Sequence, residues 1–430
     1  MAAATGGNYR RRMNENKRTI PDVVFLVMIS AVLVTSIVGV VIDLVPGRSS
    51  ERAGSLPVAT ATAGSTATSG DATTESSTSA SLPGGSSRPP VTVTESTDNA
   101  DGYWRFGTAG EEGLVREGVD GYVELCRRTG ADAVLVARGR TIVGEWYSPR
   151  YNGSLYAMSS TKSVTGLLVG IAQDDGLLSV SDPVGDYIDS WNNGIRARVT
   201  VRNLLTQTSG LSQRSGQESV GSVANKNTFV IGLEPDTEPG RQFVYSNEGV
   251  QLLSPILEQA IGGRLDEFAT ERLFAPLGMD HTSLHISGSD RSVWTYADME
   301  TTPRDFARLG RLILDGGTHD GDQIVSGDYL VEAMGPSDLA DNYGYLWWRF
   351  VGDAGIPGVA SLGYLSTDMY VLTDDDVVIV RMKAPRTTYS GVNEERPYSQ
   401  GLVATMFRVM VGLSDPAEAD RVLSGVPERD

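Results

Sequence analysis

Cysteine occurs once in this 430-residue chain, at Cys126, and histidine three times, at His281, His285 and His319. A single cysteine excludes any intramolecular disulfide, so a folded domain of this size depends on its apolar core. The flanks Tyr122-Val123-Glu124-Leu125 and Arg127 read as helical, with Cys126 as a small buried hydrophobe. His281 and His285 are four apart, but their context is irregular and no Cys or carboxylate set completes a metal site. No metal and no other cofactor is expected. No Gly-x-Ser-x-Gly occurs, which removes the nucleophile elbow of α/β-hydrolases and makes a Ser-His-Asp triad an unsuitable reading. Basic residues are outnumbered, 36 Lys and Arg against 54 Asp and Glu, and the net charge of -18 argues against nucleic acid or an anionic lipid surface as main partner. There is no internal repeat.

What is present begins with an unusual front end. Val23 to Ile42 is an uncharged apolar run of 20 residues, enough at about 1.5 Å per residue to cross a hydrocarbon core of about 30 Å. Arg10, Arg11, Arg12, Lys17 and Arg18 precede it, so the N-terminus is expected on the cytoplasmic side and everything after Asp43 outside. The run is longer than the apolar region of a cleaved signal peptide, and no cysteine stands directly after it for lipid attachment; an uncleaved signal anchor is the reading. From about Gly47 to Ala100 the chain is rich in Ser, Thr, Ala, Gly and Pro, and cannot bury enough surface to offset its ordering entropy. It reads as a tether spanning roughly 40 Å on average. The expected organisation is a cytoplasmic segment (1–20), a transmembrane anchor (21–45), a low-complexity linker (46–100), a globular domain (101–415) and a C-terminal tail (416–430), a single-pass protein of the plasma membrane with its domain extracytoplasmic.

Within the domain, Asp132 to Arg138 and Thr141 to Tyr147 flank the turn Gly139-Arg140 as a β-hairpin, and Met369 to Leu372 with Val377 to Met382 form a second. An amphipathic helix is expected around Gln400 to Val411. Strands at both ends with helical patterns between them give an α+β fold: an antiparallel β-sheet flanked by helices, with an inserted all-helical subdomain. In the insert, Thr302-Pro303-Arg304-Asp305 carries a cap, Pro at the first helical position and an acid three after the cap.

Lysine is scarce too, four in the whole chain, and one of them, Lys162, lies three residues after Ser159 where a helix begins. Val164, Leu167, Leu168 and Ile171 give the i, i+3, i+4, i+7 pattern that ends at Asp174-Asp175-Gly176. Residues three apart share a helical face, so the amine can stand against the hydroxyl. A serine needs such a base, and lysine serves when burial lowers its pKa. A serine at a helix start also meets unpaired backbone N–H groups that suit an oxyanion.

Ser159-Ser160-Thr161-Lys162, then Leu204-Leu205-Thr206-Gln207-Thr208-Ser209-Gly210-Leu211, Pro239-Gly240-Arg241, Tyr245-Ser246-Asn247 and Phe274-Ala275-Pro276-Leu277-Gly278-Met279 occur in an order that closely resembles the serine hydrolase superfamily of class C β-lactamases, D-alanyl-D-alanine carboxypeptidases and related esterases and amidases. Met299 to Gly310 and Tyr343 to Trp348 resemble the branch of 6-aminohexanoate oligomer hydrolases. The resemblance runs from about Asp101 to about Leu413 and implies the same sheet with a helical subdomain and a cleft between them. By it, Ser159 is the nucleophile, Lys162 shares a proton with it, Tyr245 has a pKa lowered by the lysine and acts as a base, and Asn247 binds a substrate amide. The third element, usually Lys-Thr-Gly or His-x-Gly on a strand lining the cleft, is here Gly363-Tyr364-Leu365-Ser366-Thr367-Asp368. Tyr364 stands at the basic position, Ser366 replaces the glycine, and Thr367 would supply a second oxyanion N–H. Losing that cation turns the expectation from carboxylate-bearing substrates to other esters and amides. Trp347, with Trp348, Tyr343 and Tyr345, is a candidate wall of the acyl pocket. The function implied is a membrane-tethered serine hydrolase acting through an acyl-enzyme on a small-molecule or peptide substrate. The alternative is an acylated sensor or binding domain of the same fold that does not turn over.

Overall fold

The computed structural model describes residues 102–350, 356–385 and 398–427. The expected cytoplasmic segment, membrane span and linker therefore lie outside the described residues. Among those described, no helix is long and apolar enough to cross a membrane.

Seven strands make the main sheet: β1 (Arg105–Phe106), β2 (Ala133–Arg138), β3 (Thr141–Tyr147), β4 (Trp348–Phe350), β5 (Gly358–Gly363), β6 (Thr367–Leu372) and β7 (Val377–Met382), in the spatial order β1-β3-β2-β7-β6-β5-β4. Both expected hairpins form, β2 with β3 and β6 with β7. Antiparallel pairing of β7 with β2 then joins the two ends of the domain, Ile379 lying opposite Val136. All six residues of β7 are buried. Val378 and Val380 pack on one face and Val377 and Ile379 on the other, which is why the strand reads as a continuous apolar run. The sheet is mixed rather than antiparallel throughout, because β1 pairs with β3 in parallel. A two-residue edge strand is too short to leave a periodic signature in sequence.

One face is covered by α1 (Arg116–Arg128), α10 (Gln400–Met410) and α11 (Ala417–Ser424). Cys126 is buried there, and burial pushes its thiol up to about 12, the inert state expected of it. In α11 Ala419 and Leu423 are buried, so the packed structure continues past the expected boundary at 415. The other face carries α2 (Thr161–Asp174) and α8 (Pro303–Leu314); between them run α3 (Val201–Leu205), α4 (Lys226–Ile231), α5 (Asn247–Gln251), α6 (Leu253–Ile261) and α7 (Leu265–Ala269), with α9 (Gly327–Ala333) after α8. This insert is not all-helical. It holds three two-stranded ribbons, Leu155–Tyr156 with Glu300–Thr301, Ile286–Ser287 with Ser292–Val293, and Thr318–His319 with Asp322–Gln323, pairings too short to show as alternation. Helix α8 begins as its cap signal predicts, Asp305 N donating to Thr302 Oγ1 at 3.1 Å. It is tied to the sheet by a fully buried pair, Arg304 donating to Glu145 of β3 through Nε at 2.8 Å and Nη2 at 2.7 Å.

Candidate active site

Ser159 sits in a short 3-10 turn, Met158–Ser160, that feeds directly into α2. Met158 adopts φ 49, a left-handed conformation that a non-glycine residue enters only when its surroundings hold it there. They do: Met158 O accepts from Thr161 Oγ1 at 2.7 Å and from Asp298 N at 3.3 Å. The turn is also pinned to the sheet, since Ser160 Oγ donates to Thr367 O at 2.8 Å and Ser361 Oγ to Ser160 O at 2.9 Å. Gly363 makes that closeness possible, because a Cβ there would stand 2.8 Å from Ala157 O and 2.7 Å from Thr367 O.

One turn on, Lys162 is buried, with Nζ donating to Ser159 Oγ at 3.1 Å and to Tyr296 O at 2.7 Å. Burial lowers its pKa to about 7, against the upward pull of the Asp298 and Glu248 carboxylates. The same burial pushes Asp298 up to about 6, opposed by Lys162 and Lys226. Tyr245 comes from a distant stretch of chain; its ring lies 4.9 Å from Lys162 Nζ, and its hydroxyl interacts with the Ser159 side chain. The expected lowering of the Tyr245 pKa is corrected: burial raises it, and the Ser159 hydrogen bond offsets this only in part. A lysine that is itself near neutrality supplies little of the positive field that a phenolate would need.

Asn247 opens α5, its N–H donating to Gln213 Oε1 at 2.9 Å, while its own buried Oδ1 accepts no hydrogen bond among the described residues. Such an acceptor suits a substrate N–H. The preceding Ser246 caps α5. Its N–H donates to Gln207 Oε1 at 2.8 Å, and Val244 N donates to Gln207 O at 2.8 Å. Gln207, at φ 58, thus clamps the segment that presents Tyr245 from both sides. Gln207→Ala would leave the buried Ser246 N–H unpaired, and a loss of about 1–3 kcal/mol in stability, read by urea denaturation, is expected.

The third element departs from expectation. Only Gly363 belongs to the strand; Tyr364–Ser366 form a tight turn into β6, with Leu365 at φ 62 and Ser366 at φ 53. Thr367 is buried and its N–H donates to Tyr364 O, so this amide is engaged within the turn and is not the second oxyanion donor. Tyr364 is half-buried on the turn. Trp347, at 1 % exposure, packs in the core of the insert face. Its neighbour Trp348 is the tryptophan that reaches the site, stacking on Tyr245 at 6.3 Å between ring centroids and meeting Tyr343 edge-on at 4.8 Å. Successive residues of extended chain face opposite sides, which is why the adjacent tryptophans, at the start of β4, serve different environments. Tyr296, Asp298 and Gln207 were not singled out from the sequence, since none sits in a spacing that announces a role. Of the three, only Gln207 lies within a motif, Leu204 to Leu211.

A hydroxyl held between an amine and a phenol at the start of a helix defines the class of site. The Beta-lactamase family profile matches residues 115–396, and the chain belongs to that family of serine hydrolases. It is 25% identical over 289 residues to the 6-aminohexanoate-dimer hydrolase of Paenarthrobacter ureafaciens, covering 60% of this chain and 73% of that protein. Among solved structures, a putative beta-lactamase from Bacteroides dorei superposes with TM-score 0.58 at 20% identity, over 68% of this chain and 98% of the other. A putative 6-aminohexanoate-dimer hydrolase from Bacillus anthracis does so with TM-score 0.56 at 19% identity, over 66% and 82%. At these identities the structural likeness concerns the fold.

Proposed function

We propose that this protein hydrolyses an ester or amide through an acyl-enzyme on Ser159, and that residues 21–45 tether it to the cell membrane with the domain outside. The observation that carries the reading is the 3.1 Å contact between Lys162 Nζ and Ser159 Oγ, made by an amine that is buried and, among the described residues, has no ion pair. The tether rests on the apolar run and the basic residues before it.

Neutral Lys162 takes the Ser159 proton as Oγ attacks the substrate carbonyl. The tetrahedral intermediate collapses, the alcohol or amine leaves with a proton returned from Lys162 through Tyr245, and the acyl group remains as an ester on Ser159. Water then attacks that ester, giving up its proton to the same pair, and the free acid departs. Tyr245 acts as a protonated relay, since burial keeps its phenol neutral. The Ser159 N–H, in the first turn of the helical run, is one oxyanion donor. With Tyr364 in place of a cation, the substrate favoured is a small ester, amide or peptide without a carboxylate at that point. The 6-aminohexanoate-dimer hydrolase, a relative named for an amide dimer, is consistent with this class.

Incubation of the purified protein with a p-nitrophenyl ester and a fluorophosphonate probe tests the reading. Turnover together with labelling at Ser159 supports it; labelling without turnover would mean an acylated binding domain, and neither would refute both. Because the amine must be neutral to accept a proton, kcat/KM should rise with pH through a limb near about 7 and stay high above it. A rate independent of pH between about 5 and 9 would remove Lys162 as the base.

A further inference from the structure

Arg381 of β7 is buried at 1 % exposure on the far side of the sheet from Ser159. In register it stands beside Val134 and Asp368, and its guanidinium lies 4.3 Å over the Tyr398 ring, on the face covered by α1 and the C-terminal helices. The Ser159 turn contacts the opposite face, through Ser361, whose register partner Met369 packs with the insert.

From its side of the sheet Arg381 Nη1 donates to two consecutive carbonyls, Leu365 O at 2.7 Å and Ser366 O at 2.5 Å. Those are the two left-handed residues of the turn that replaces the usual third element. Neither is glycine, so the turn occupies a disfavoured conformation that needs an external anchor. Asp368 steadies its base, accepting from Gly363 N at 3.2 Å and from the Tyr370 hydroxyl at 3.0 Å. In a planar trans peptide the C=O of one residue and the N–H of the next point in opposite directions. With the Leu365 carbonyl drawn toward Arg381, the Ser366 N–H is directed toward the face that carries Ser159. The neighbouring Thr367 N–H is already engaged by Tyr364 O.

We infer that Arg381 is a positioning residue for catalysis, holding the Leu365 and Ser366 carbonyls on the far face so that the Ser366 N–H serves as the second oxyanion donor. The inference rests on the acyl-transfer reading of Ser159. A cation that other third elements present to the substrate is here placed behind the turn, where it fixes and polarises an amide instead of binding a carboxylate.

The test uses Arg381→Met and Arg381→Lys in the full chain, assayed with a p-nitrophenyl ester and its thiono analogue, whose sulfur is a weak hydrogen-bond acceptor. For the oxygen ester, kcat should fall about 10²-fold in Arg381→Met and less in Arg381→Lys, with KM within about threefold of wild type. The thiono ester should lose much less. Thermal melting identifies folded variants; should Arg381→Met fail to fold, Arg381→Lys carries the comparison. A folded variant that keeps kcat within about twofold, or one in which both esters slow equally, overturns the inference. A wild-type protein that turns over neither ester overturns the acyl-transfer reading instead, a distinguishable result.

Discussion

Ser159→Ala should lower the hydrolysis of an activated ester by roughly 10⁴–10⁶-fold, and Lys162→Met by at least about 10³-fold, with little change in KM in either case. The two effects should not add, because nucleophile and base act as a unit: the double variant is expected to be no slower than Ser159→Ala alone. The geometry makes the lysine the more informative substitution. Its Nζ touches both the nucleophile and Tyr296 O, so Lys162→Met removes the base and leaves a carbonyl without that donor. Burial of the amine opposes its charged form. The apolar methionine side chain occupies similar space without that cost, so the variant should remain folded and its inactivity be chemical in origin. Steady-state kinetics beside a thermal melt check this. A Lys162→Met variant retaining more than about a tenth of wild-type kcat would assign the base elsewhere, with Tyr245 next in line.

Glu145→Ala should cost about 3–5 kcal/mol of stability, since it removes the carboxylate that meets the buried Arg304 guanidinium through two hydrogen bonds. Both partners are at most 1 % exposed, Arg304 donates to both carboxylate oxygens, and Glu145 also accepts from Tyr147 at 2.6 Å. The pair joins β3 to α8, and the segment entering α8 supplies the Asp298 and Met299 amides that hold the Ser159 turn. Loss of activity at elevated temperature should therefore accompany the lower urea midpoint. Replacing both partners at once, Glu145→Leu with Arg304→Met, should restore most of the stability, because much of the penalty comes from keeping a buried charge after its carboxylate is removed. A Glu145→Ala loss below about 1 kcal/mol would show that water reaches Arg304 and that the site is not sealed.

Elements with strong local signals were legible in advance. The two hairpins, the α8 cap and the helix after Ser159 follow from period, turn residues and capping chemistry acting over a few residues. The contact of Lys162 with Ser159 follows from spacing alone. What escaped was set by residues far apart in the chain. The parallel edge strand β1 is two residues long, and the ribbon pairing Leu155–Tyr156 with Glu300–Thr301 joins segments on either side of most of the insert. The Thr367 amide, an oxyanion candidate by its motif, closes the Tyr364 turn, and it is Trp348, not Trp347, that stacks on Tyr245. The first difference comes from left-handed backbone at Leu365 and Ser366, which non-glycine sequence does not advertise.

By itself the sequence determined the order of strands and helices, the hydroxyl and amine one turn apart, and the membership in a serine hydrolase family that its motifs resemble. Only the tertiary structure decided that Lys162, not Tyr245, is brought near neutral pKa, and that a buried arginine lies behind the third element. The reason is physical: spacing and propensity act through neighbours along the chain, whereas burial and the facing of an amide depend on which distant segments close over it.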